Sequence, residues 1–122
     1  MSLNSRVLKV AALAAVVLIP AVAHADTYGI AGTVISLTIN ESSADNYLGE
    51  RGSLILSEGG VPRKYQWGGT ACNGRNVTEA NVALLFRAME HGDRMTVLPS
   101  YKAGAGQARC LVGFTFTPVM TP

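Results

Sequence analysis

Glu79-Ala80-Asn81-Val82-Ala83-Leu84-Leu85-Phe86-Arg87-Ala88-Met89-Glu90 is the one stretch of this chain whose apolar residues recur at helical spacing. Val82, Leu85, Phe86 and Met89 fall at i, i+3, i+4 and i+7, which lays one apolar stripe along a helix. Asn76 or Thr78 offers an N-cap, and Asn76 with Glu79 three places on resembles a capping box. Gly92 stops the helix. His91, just before it, reads as a side chain that satisfies the last carbonyls rather than as a catalytic or metal-binding histidine. Leu84 lies off the stripe. It marks either a subunit contact on a second face or one of the single exposed leucines that proteins commonly carry.

Strand patterns stand on both sides of this helix. Residues 30–39 are rich in β-branched types, with Ile35, Leu37 and Ile39 alternating against Ser36 and Thr38, and a bulge is expected near Gly32. Residues 40–49 are polar and read as a loop. Residues 52–57 form a second strand with Leu54 and Leu56 facing one way, residues 58–62 a turn, and residues 63–67 a third strand. Beyond the helix, residues 94–101 and 109–117 are two more strands. Between them lies a hairpin loop whose Gly104-Ala105-Gly106 opens a strand and so lacks the helix N-terminus of a phosphate cradle. The order β-β-β-α-β-β makes the chain mainly β with one helix. It suits an OB-fold-like small barrel in which the helix plugs one end. The alternative is an open antiparallel sheet packed by one helix.

Upstream of all this, residues 1–25 read as a signal peptide. Arg6 and Lys9 supply the positive region, residues 10–19 the apolar stretch, and Ala23-His24-Ala25 the small-x-small cleavage site. The stretch is short for a membrane span and Pro20 interrupts it, so cleavage after Ala25 is expected rather than anchoring. Residues 26–122 then form a single domain. Arg6 and Lys9 account for the whole net charge of +2, and the eight basic side chains that remain are matched by eight acidic ones. That balance argues against nucleic acid and against an anionic membrane surface as partners.

Cys72 and Cys110 fall in an exported domain and read as one disulfide, worth about 3 to 4 kcal/mol in the chain-entropy model. Two free thiols in a metal or redox site would lack both Cys-x-x-Cys spacing and a second histidine. No nucleophile elbow, zinc-protease helix or Walker loop occurs. Glu41, Asp45, Glu50 and Glu58 are scattered. Neither an enzyme nor a cofactor is therefore expected. The sequons at Asn40 and Asn76 matter only in a eukaryotic secretory pathway, and the Ala-rich signal reads as bacterial.

Arg63-Lys64-Tyr65-Gln66-Trp67 is the stretch with binding chemistry. Rings stack on the apolar faces of sugars while amide and guanidinium groups bind hydroxyls, so Arg63, Tyr65, Gln66 and Trp67 are candidate ligand-binding residues. The competing reading places Tyr65 and Trp67 in the core, with Arg63, Lys64 and Gln66 on the solvent side.

Trp67 is followed by a short loop and then by Leu84-Leu85-Phe86-Arg87-Ala88-Met89-Glu90-His91-Gly92-Asp93-Arg94-Met95-Thr96-Val97, a helix that stops at glycine and runs straight into a strand. With the strand order and the single disulfide, this phrase resembles the OB-fold B subunits of bacterial A–B toxins, of the pertussis and subtilase cytotoxin type. The resemblance covers most of residues 26–122 by architecture and little by identity, and no sugar-binding residue is carried over from it. It implies a homo-pentamer with helices around a central pore and host glycans bound on the outer surface. The reading is an exported, non-enzymatic binding module, periplasmic or secreted. Its partner is a host glycan or, alternatively, an envelope or secreted protein that it inhibits or assembles with.

Overall fold

A computed structural model of the protein describes residues 25–119. Except for Ala25, the expected export segment lies outside them, as do residues 120–122. The elements are β1 (Thr27–Tyr28), β2 (Thr33–Ile39), β3 (Gly52–Glu58), β4 (Val61–Trp67), α1 (Glu79–Glu90), β5 (Met95–Ala103) and β6 (Arg109–Pro118). The chain is mainly β with one helix, as its periodicities require. Only the two-residue β1 is too short to leave a pattern.

Strand order is β1-β5-β6-β4-β3-β2. All neighbours run antiparallel except β4 and β6, which are parallel and meet at the single pair Gln66↔Cys110. The chain's first segment serves both ends of the sheet. Thr27 and Tyr28 pair with Tyr101 and Ser100 of β5. Gly32 exchanges two hydrogen bonds with Val97 (3.0 and 2.7 Å), and the chain then crosses over to pair with β3. Only glycine fits at that crossing, because a Cβ there would strike the Ser57 carbonyl. One bridge between the two ends does not make a ladder. The sheet is open and packed by one helix, so the barrel expectation gives way to its alternative, with one parallel neighbour added.

The bulge of β2 falls at Ile35 rather than near Gly32, between Val34 and Ser36. One extra residue flips the alternation, so Val34 and Leu37 both stand on the core face, opposite Leu56 and Leu54, while Ile35 and Ile39 are exposed. Leu54, Leu56, Tyr65, Trp67, Val97 and Leu111 fill the core from the sheet, and Leu85 and Ala88 cover it from α1. The helix stripe is rotated from its expected position. Ala88, small enough for close approach, replaces Phe86 at the contact, and Phe86 is left 49% exposed. Thr78 is the N-cap: its Oγ1 accepts from the Asn81 N–H at 3.2 Å. His91 is the C-cap, acting through its backbone N–H on the Arg87 carbonyl.

Cys72 and Cys110 form the expected disulfide, with Cα atoms 5.5 Å apart and both residues buried. It fastens the segment after β4 to β6 at the one place where those strands meet. A disulfide is the mark of a compartment outside the cytoplasm. Among the described residues, no helix is long and apolar enough to cross a membrane.

Candidate functional site

The four residues singled out on β4 separate into two environments. Tyr65 and Trp67 are 1% and 3% exposed, inside the core. Arg63 is exposed, and Gln66 is half-buried with its Nε2 donating to Glu50 Oε2 at 2.6 Å. Glu50 also takes Lys64 Nζ at 3.1 Å, so this outer surface is a small hydrogen-bonded lattice. The strand thus brings no single binding constellation together.

On the core side, the Tyr65 hydroxyl donates to Glu58 Oε2 at 2.6 Å, and Glu58 Oε1 accepts the Ile30 N–H at 2.8 Å. Burial, reinforced by the hydrogen bond to the Glu58 carboxylate, pushes the Tyr65 hydroxyl well above the usual tyrosine range. The Arg109 guanidinium lies 5.9 and 6.0 Å from the Tyr65 and Tyr101 rings. Each of these groups is engaged with another part of the protein, which makes the cluster a structural device.

A different site is built above Trp67. Loop 40–51, the segment before the helix and the first turns of α1 enclose a groove of about 660 Å³, bordered by Tyr47, Arg51, Trp67, Asn76, Glu79 and Phe86. Its position follows from local structure. The Asn40 N–H donates to the Arg51 carbonyl at 2.9 Å and Asn40 Nδ2 donates to the Glu50 carbonyl at 3.0 Å, closing the loop at its base. The Arg51 guanidinium stacks 4.2 Å from the Tyr47 ring centroid. Gly68, at φ +69°, lets the Arg51 and Asn76 side chains pass where a Cβ would collide with both. Phe86, turned out of the core by the helix rotation, forms the opposite wall.

Its chemistry is mixed in the way ligand sites are: aromatic and aliphatic walls with a few converging polar groups. Arg51 borders the groove, and its buried Nε has no hydrogen-bond partner in the protein. Asn76 adds an amide. Glu41 and Glu79 add carboxylates, both exposed. Among the described residues, no group of three His, Cys, Asp or Glu converges as a metal site would need. Sequence reasoning missed this groove because Tyr47, Arg51, Asn76 and Phe86 come from three separated segments with no shared motif.

Comparison with protein-family models, with curated proteins and with solved structures gave no match.

Proposed function

We propose that this protein is an exported, non-enzymatic binding module that holds a carbohydrate in the groove between loop 40–51 and the start of α1. The observation that carries the reading is Arg51, a guanidinium with an unpartnered Nε, at the border of a groove walled by Tyr47 and Phe86. A saccharide presents hydroxyl acceptors and an apolar ring face together, and this lining answers both. The groove volume falls within the roughly 300–1,000 Å³ of small-molecule sites. The sugar site thereby moves from β4, where Tyr65 and Trp67 are core, to the other side of the Trp67 ring.

The resemblance to toxin B subunits adds a periplasmic or secreted location and a ring of five copies to this reading. A second reading, an inhibitor or envelope interaction protein, is favoured by the exposed apolar residues Ile39 and Phe86 of the groove, which suit a protein partner. The two readings separate in one experiment, chemical-shift mapping on the oxidised protein with a panel of saccharides. Carbohydrate binding predicts shifts at the Trp67 indole N–H, Asn76 and Phe86. If no saccharide moves them and an envelope or secreted protein does, the second reading takes its place.

A further inference from the structure

The two ends of the sheet are joined at Gly32, but a seam remains open on the other side, along β6. The Val119 N–H donates to the Arg94 carbonyl at 2.8 Å, which makes 94 and 119 a hydrogen-bonded pair. Alternation along the register Met95↔Pro118 to Pro99↔Phe114 then turns the backbone N–H and C=O of Phe114 and Phe116 away from β5. The same alternation turns Val97 outward on the other edge of β5, where it meets Gly32, so the parity is anchored twice. Among the described residues no strand lies on that outer side of Phe114 and Phe116, since β4 pairs with β6 only at Gln66↔Cys110.

The helix packs on β2 and β5 and leaves two hollows beside this edge. One, about 230 Å³, lies between Asn76, Val77 and Asn81 and the Leu111–Phe114 stretch. The other, about 260 Å³, lies between Leu84 and Ala88 of the helix and Met95 and Phe116. The twelve residues of α1 run about 18 Å, the length of five or six strand residues. Arg75 and Arg87 are the charged side chains that border the hollows, with His91 beside them and no carboxylate.

We propose that the free edge of β6 is a docking edge for an extended, acidic segment of another protein, which adds as a further strand beside α1. Backbone bonds to Phe114 and Phe116 supply register, alternate apolar side chains enter the two hollows, and acidic residues answer Arg75 and Arg87. Exposed Leu84 and Val112 become wall residues of that groove.

The probe is a seven-residue peptide alternating valine with glutamate, titrated into the oxidised protein while amide exchange is followed by NMR. The expected result is at least tenfold slower exchange at Phe114 and Phe116 and shifts at Leu84 and Arg87. A lysine-for-glutamate counterpart binds at least tenfold more weakly, and an analogue with every amide nitrogen methylated does not protect the edge. Arg87→Glu, an exposed change, reverses the charge preference. No protection at millimolar peptide would overturn the proposal, as would equal binding of the methylated analogue. So would amides at Phe114 and Phe116 already protected in the free protein in proportion to its concentration, because a second copy then holds the edge.

Discussion

At the scale of single residues, Tyr65 shows how burial sets the behaviour of a polar group. Its hydroxyl is buried against one partner, the Glu58 carboxylate. An unfolded tyrosine ionises near pH 10. Native Tyr65 keeps its proton above that pH, so the unfolded state releases a proton the native state holds. Its contribution to stability is therefore complete below about pH 10 and is lost as the pH rises further. Denaturant midpoints measured from pH 8 to 11 should fall above pH 10, and Tyr65→Phe should flatten that fall. The same substitution leaves Glu58 Oε2 without its donor and should cost about 1–3 kcal/mol at neutral pH. A midpoint unchanged by Tyr65→Phe would mean that the hydroxyl bond contributes nothing. Alternation along residues 63–67 put Tyr65 and Trp67 on one face and left open whether that face was core or ligand-binding. The Glu58 partnership was not legible, because it depends on how the turn at 59–60 folds β3 against β4.

Among the elements, the decisive contact is the crossing at Gly32. Residues 27–39 hold both β5 and β3, and the crossing works only because the Gly32 backbone reaches the Ser57 carbonyl. Gly32→Ala should destabilise the protein by about 1–3 kcal/mol or more, the usual result of forcing a methyl into a packed contact. Loss of exchange protection should appear first at Val97. If the Gly32→Ala variant kept wild-type stability and a protected Val97 amide, the crossing would be shown to tolerate a side chain. The periods of two and 3.6 disclosed five strands and the helix with nearly correct ends. They did not disclose the choice between barrel and open sheet, because that depends on whether residues 27–39 ladder against β5 or touch it at isolated points. The rotation of α1 was equally hidden. Phe86 and Leu85 are adjacent on the stripe, and only the closeness of the sheet at Ala88 selects between them.

Over the whole molecule, the disulfide and the groove are the two long-range features. Cys72 and Cys110 are 38 residues apart, and their bond secures the seam between β4 and β6. Cys110→Ser in oxidised protein should lower stability by about 3 to 4 kcal/mol, read from the denaturant midpoint. An unchanged midpoint would show the bridge to be inconsequential. The groove draws on residues 37 to 86, and no local pattern links them. Phe86→Ala, a change at a half-exposed position, should leave stability within about 1 kcal/mol while weakening sugar binding several-fold. Arg51→Gln, which removes the unpartnered donor, should weaken it tenfold or more, equivalent to about 1.4 kcal/mol. The measurement that tests the central claim most directly is a broad glycan array probed with oxidised wild-type protein and with Arg51→Gln. Retention of a discrete class of glycans by the wild type, lost in the variant, is the predicted result. A correctly folded wild type that retains no glycan, or one that binds equally without the Arg51 guanidinium, would contradict the account.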